Sequence, residues 1–169
     1  MNSNPLKTIE IIPFHWAGEF KLNESRSILM PQISFRLRSS RESTEGVNSF
    51  IIDDYEQALA YYSKTNEKLF YVSFAPVPTY ELMFENQNLF ALNSGAIFRF
   101  LKKSDPDLYI EDYVGFGSLK YGIDIYAPNF TDDKSSQVEA ISFAIKGYFD
   151  SIYKNTELNI DNLQQKLKN

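Results

Sequence analysis

The chain of 169 residues carries 22 acidic and 17 basic side chains, a net charge of −5, which argues against general nucleic-acid binding. It has no cysteine and one histidine, so disulfides, thiolate metal centres, cysteine nucleophiles and chemistry that needs two imidazoles are excluded. Its length and its 43% apolar content fit one domain spanning residues 1–169, and no apolar window is long enough for a membrane helix.

Aromatic residues are abundant, with 14 Phe, 11 Tyr and 1 Trp. They suit a β-rich core, and tyrosines in this number also suit a recognition surface.

In chain order, Met1 to Pro5 lacks the basic and apolar runs of a secretory signal, so a cytoplasmic location is expected. Thr8–Ile12 reads as a strand stopped by Pro13. Phe14–Phe20, with His15, Trp16 and Gly18, reads as a turn into a second element. Asn23–Leu29 suits a turn or two of helix ended by Pro31. Gln32–Arg38 alternates, with Ile33, Phe35 and Leu37 on one face of an expected half-buried strand. Ser39–Asn48 is polar and expected to be a loop. Ser49–Ile52 suits a short strand, and Asp53–Glu56 an acidic turn.

Ala58–Tyr62 and Lys68–Phe74 flank a polar pentapeptide and predict a hairpin. Thr79–Phe84 and Leu89–Leu92 are expected to pair around Glu85–Asn88. Asn93 or Ser94 is a good cap for a short helix over Ala96–Lys103, with Lys102 and Lys103 complementing the dipole in its last turn. Asp107–Val114, Leu119–Tyr126 and Val138–Phe149 read as strands, with Gly115–Ser118 as a turn. Thr156–Lys168 carries a partial apolar stripe and suggests a C-terminal helix. The fold class is therefore α+β: mostly antiparallel sheet with one or two short helices and a C-terminal helix.

No catalytic constellation emerges. Gly115-Phe116-Gly117-Ser118-Leu119-Lys120 lacks the third glycine and the following helix of a dinucleotide loop. Asp105-Pro106-Asp107 lacks the glycine of a calcium loop, since Ile110 stands in its place. His15 has no G-x-S-x-G nucleophile to serve. Asp53-Asp54 and Glu111-Asp112 are neighbours, and neighbours on a strand face opposite ways. Arg36, Arg38 and Arg41, interleaved with Phe35 and Leu37, form the one basic–aromatic stretch.

Charge is concentrated: residues 50–133 hold thirteen acidic and six basic groups. Such a run is either a solvated face or a docking surface for a basic partner. The expected partner-binding residues are Asp107, Glu111, Asp112, Tyr113 and Asp124, supported by Asp53, Asp54 and Tyr55. No metal, cofactor or catalytic residue is expected.

Ile12-Pro13, Gly18-Glu19-Phe20-Lys21-Leu22 and Ser25-Arg26 resemble the opening "I-P…G-x-I-K-L-G-x-S-R" of small bacterial toxin-immunity proteins. Ser118–Ile123, Val138–Ile141 and Gly147-Tyr148-Phe149 are similar to that group's closing "S-x-x-x-G-I…V-E-A-V…G-Y-Y". The hairpin over 58–74 falls where the group has a paired "Y-D…V-x-F-I". Asn23 stands where the group has glycine, and Pro31 interrupts its longer first helix. The resemblance implies a small α+β protein that neutralises a toxin domain by contact, a nuclease being one possibility, and carries over no catalytic residue. Free, such a chain is expected to be a monomer or dimer. Two other readings stay open: a small-molecule binding module with an aromatic pocket, and a structural subunit of a larger assembly.

Overall fold

The computed structural model describes residues 6–153 and Gln164. Two sheets face each other. The smaller contains β1 (Lys7–Ile12), β2 (Trp16–Ala17), β3 (Phe20–Lys21), β8 (Tyr80–Phe84) and β9 (Gln87–Asn88), in the order β3-β2-β1-β8-β9. The larger contains β4 (Leu37–Glu45), β5 (Asn48–Tyr55), β6 (Ala58–Ser63), β7 (Leu69–Phe74), β10 (Tyr109–Glu111), β11 (Gly115–Ser118), β12 (Ile123–Tyr126) and β13 (Ala140–Ala144). Its order is β10-β11-β12-β13-β7-β6-β5-β4. Every strand pair is antiparallel except β1 with β8, where Ile9 lies opposite Leu82. The helices are α1 (Arg26–Leu29), α2 (Ser94–Ser104) and α3 (Tyr148–Tyr153). The sheet-dominated α+β class expected from the sequence is what the structure has.

Alternation in the strands of the large sheet separates its faces. Ile51 and Tyr55 of β5, Ala60 and Tyr62 of β6, Val72 and Phe74 of β7, Ile123 and Ile125 of β12, and Ile141 and Phe143 of β13 are buried in one core with Ile9, Ile11, Leu82 and Phe84 of the small sheet. Phe20 joins the layers by edge contacts to Tyr55 and Phe74, at 5.6 and 5.5 Å between ring centroids. Ile97 and Leu101 of α2 complete this core. The Asn93 side chain caps α2 by accepting from the Ala96 amide at 2.9 Å, as its position before the helix suggests.

The opposite, outer face of the large sheet carries a second, smaller cluster. Phe50, Ile52, Phe70 and Ile145 are buried there, with Tyr61, Tyr71 and Tyr148 packed against them. A register shift between Tyr61 and Tyr62 supplies the extra residue that lets Phe70 join Tyr71 on this face. Gly147, at φ 89°, turns the chain out of β13, and α3 then lies against these rings.

The structure corrects several local expectations. The polar stretch 39–48 is mostly strand: β4 reaches Glu45 and pairs along β5 from Leu37↔Tyr55 to Glu45↔Asn48. An edge strand exposed on both sides needs no apolar alternation, and its charges discourage further pairing. Gly46, at φ 57°, takes the first central position of the two-residue hairpin turn, which favours glycine. Residues 32–36 are not strand, although Ile33 and Phe35 still pack on the core. Asp53-Asp54-Tyr55 is not a turn but the end of β5.

Leu89–Ala91 is a 3-10 turn, with the Asn88 side chain accepting from the Phe90 amide at 3.1 Å. Gly115–Ser118 is the strand β11. Only Ala140–Ala144 of the expected strand 138–149 is strand; α3 begins at Tyr148. The helix expected over 156–168 lies outside the described residues, apart from Gln164. The Gln164 side chain accepts from Asn66 at 2.8 Å and donates to the Lys68 carbonyl at 3.1 Å.

Candidate functional site: a tyrosine cleft and an acidic hairpin

One row of directly paired residues crosses the outer face. It runs Tyr109, Gly117, Asp124, Ser142, Ser73, Leu59, Asp54 through β10, β11, β12, β13, β7, β6 and β5. Paired residues point to the same side, so the small side chains of Gly117, Ser142 and Ser73 make a trough. Tyr109 lies down in it. A Cβ on Gly117 would collide with the Tyr109 ring and hydroxyl, so only glycine lets that hydroxyl reach Asp124.

Asp124 is the chemical centre of this trough. Its Oδ1 accepts hydrogen bonds from the Tyr109 hydroxyl at 2.6 Å and the Tyr153 hydroxyl at 3.2 Å. The two phenol rings stack at 3.6 Å and 28°. Beyond Asp124, the Tyr71 hydroxyl donates to Ser142 Oγ at 2.7 Å, which donates to Ser73 Oγ at 3.0 Å. Burial raises the Asp124 pKa; the Tyr109 and Tyr153 hydroxyls oppose the rise and Glu111 adds to it. Burial also raises the phenols, with Tyr71 pushed up to about 12, so all of them are neutral donors at physiological pH.

Asp124 opens into a cleft of about 250 Å³ lined by Tyr61, Tyr71, Tyr148, Tyr153 and Glu45, together with Phe149 and Ile152. The rings are set at steep angles: Tyr61 to Tyr71 at 4.9 Å and 88°, Tyr71 to Tyr148 at 5.5 Å and 44°. Among the described residues the ion pairs are Lys7–Glu19, Arg26–Asp53, Arg38–Glu56 and Lys64–Glu42. Asp124, Glu45 and Glu111 belong to none of them.

Next to the cleft stands the β10–β11 hairpin, at the edge of the sheet. Glu111, Asp112 and Asp107 are exposed. Tyr113, at the tip, is 76% exposed and sits at φ 61°. Among the described residues, Phe14, Asn23, Glu67, Glu85 and Asn86 share this left-handed conformation, which belongs to tight turns. Ile110 and Tyr126 are exposed beside it. Apolar, aromatic and acidic groups thus share one edge.

The structure divides the residues expected from the sequence. Asp107, Glu111, Asp112, Tyr113 and Asp124 fall together at this end of the large sheet. Asp54 is on the same face but four strands away from Asp124, about 19 Å at ordinary strand spacing. It lines a separate hollow of about 200 Å³ with Gln57, Leu59 and Ser73. Asp53 and Tyr55 point into the core and are buried. Asp53 receives a bidentate pair from Arg26, with Nε and Nη2 at 2.8 and 2.9 Å, and Arg26 also donates to Ser40 at 3.2 Å. That carboxylate is committed to joining α1 to the large sheet.

Tyr61, Tyr71, Tyr148, Tyr153 and Glu45 were not singled out by the sequence. The signal available for them was weak: aromatic residues beside small ones on strands that meet only in the fold. His15 is exposed in the turn between β1 and β2, and its ring lies 6.2 Å from that of Trp16. Among the described residues no three His, Asp or Glu side chains are grouped to hold a metal ion, and no helix is long and apolar enough to cross a membrane. No family model, curated protein sequence or solved structure matches this chain.

Proposed function

We propose that this chain is an inhibitor of the immunity type: it holds a basic protein domain against the β10–β11 end of its large sheet and blocks that domain by covering it. The observation that carries the reading is the composition of this edge. Tyr113 is 76% exposed in the turn that follows the exposed Glu111 and Asp112, and Ile110 and Tyr126 are exposed at the same edge. Exposed tyrosines are effective anchors, and a like-signed rim accelerates capture of a partner of opposite charge. The overall charge of −5 favours the same encounter. The reading requires no catalytic group of this chain, and it places the complex in the cytoplasm.

The test is affinity capture from the native lysate at moderate salt, followed by reconstitution of the purified pair. A stoichiometric basic partner, inactive while bound and active after release, is the expected result. A chain that retains no such partner, or one whose bound partner keeps its activity, contradicts the proposal.

A second reading has its own observation. The cleft at Asp124 is of side-chain size and lined by rings, which also suits a small organic ligand. A melting shift with a metabolite, in the absence of any protein partner, would favour it.

A further inference from the structure

The Asp124 cleft combines three features that are seldom brought together without a ligand. Among the described residues, a mostly buried carboxylate receives two phenol hydroxyls, both on one oxygen. Rings at 4.9–5.5 Å from one another, one pair edge-to-face and one tilted, line the cleft with it. Two more carboxylates act on the same walls, Glu45 on Tyr148 and Glu111 on Tyr153. Among the described residues, the basic group that acts on these walls is Arg41, on Tyr61 from β4, so the described carboxylates at the cleft outnumber the bases.

We infer that this cleft is a receptor for one organic cation, a guanidinium or alkylammonium group. The ring faces attract a cation through their quadrupoles. Asp124 provides the buried counter-charge, and Glu45 stands at the rim. At about 250 Å³ the space is smaller than the 300–1,000 Å³ usual for drug-sized ligands, so it suits a single side chain or a small amine. An entering cation would replace water near a carboxylate that burial disfavours. A neutral group of the same shape would leave that carboxylate as it is.

The source of the cation, an arginine or lysine of the partner, rests on the inhibitor reading; the selectivity of the cleft for positive charge does not. The two are separable. N-acetyl-arginine amide is titrated into the ¹⁵N-labelled full chain, beside N-acetyl-citrulline amide, which has the same shape without the charge. The arginine compound is expected to saturate at millimolar concentration, with shifts centred on Tyr71, Asp124, Tyr148 and Tyr153, and the citrulline compound to bind at least tenfold more weakly.

Asp124→Asn keeps an acceptor for both phenols and is expected to lose at least tenfold in affinity. Glu45→Gln, at an exposed rim position, is expected to lose about two- to threefold, as for a partly screened charge. Equal binding of the two compounds, shifts elsewhere on the chain, or an Asp124→Asn protein that binds like the wild type would overturn the inference. If arginine amide fills the cleft but no basic protein is captured, the cation site stands and the inhibitor reading falls. If a basic partner is captured and Asp124→Asn binds it unchanged, while arginine amide binds no better than citrulline amide, the inhibitor reading stands and the cation site falls.

Discussion

Asp53 and Asp124 show how one residue type takes two roles according to its surroundings. Asp53 has a bidentate arginine, and charge-assisted pairs of this geometry are among the stronger hydrogen bonds. Removing one partner leaves an unpaired buried charge, so Arg26→Ala is expected to cost about 3–5 kcal/mol. Urea unfolding measures this; a loss below about 1 kcal/mol would mean that water reaches Asp53 in the variant. Asp124 has only neutral donors, and its pKa is raised by burial.

A raised native pKa means that the folded chain binds this proton more tightly than the unfolded chain. The stability it contributes is complete below the ordinary carboxylate range and is lost as pH rises through the raised value. Asparagine has no such loss. Asp124→Asn should therefore unfold at higher urea than wild type at pH 7, by about 1.4 kcal/mol for each unit of the rise. The gap should close toward pH 3. A gap that is constant with pH would show that Asp124 titrates normally.

At the level of elements, β11 and the β10–β11 turn carry the site. Gly115-Phe116-Gly117-Ser118 has the composition of a turn, yet it forms β11. Its glycines serve close approach instead: Gly117 accepts the ring of Tyr109, and a Cβ on Gly115 would run into the Ile125 carbonyl. Gly117→Ala forces Tyr109 off Asp124 and should cost about 1–3 kcal/mol through overpacking. Tyrosine hydroxyl exchange and near-ultraviolet dichroism would report the displaced ring, and an unchanged spectrum would contradict the packing described here. Tyr113→Gly relieves the left-handed strain and is expected to stabilise the chain by up to about 1 kcal/mol. The same change should weaken partner binding by about tenfold or more, since the anchor is gone. Loss of both stability and binding would mean that the Tyr113 ring supports the hairpin rather than the partner.

The elements that were legible are those whose signals are local. The 58–74 hairpin announces itself by two apolar runs around a polar turn, and α2 by Asn93 at its cap and lysines in its last turn. β4 was not legible, because a charged edge strand has the composition of a loop. Asp53 looked like surface for the same reason: its partner, Arg26, is 27 residues away. The acidic half of the candidate site could be read from charge alone, whereas the tyrosine half depends on β6, β7 and β10 meeting α3 across one sheet.

At the scale of the molecule, the inner faces of two sheets use most of the buried apolar residues, and the outer face of the larger sheet carries a second aromatic cluster beside Asp124 and Glu45. Its β4 edge is long and polar, with Arg38, Arg41, Glu42 and Glu45 exposed, a composition that resists strand addition. The other edge, at β10, mixes apolar, aromatic and acidic groups.

The most direct measurement is the association rate of the captured partner with wild type and with the Glu111→Lys/Asp112→Lys double variant, at low and high salt. Both positions are exposed, so the variant should melt within a few degrees of wild type. Its association is expected to be slower by about tenfold or more at low salt, with the difference shrinking as salt screens the charges. Equal rates for the two proteins at low salt, with both folded, would contradict a partner site at this end of the sheet.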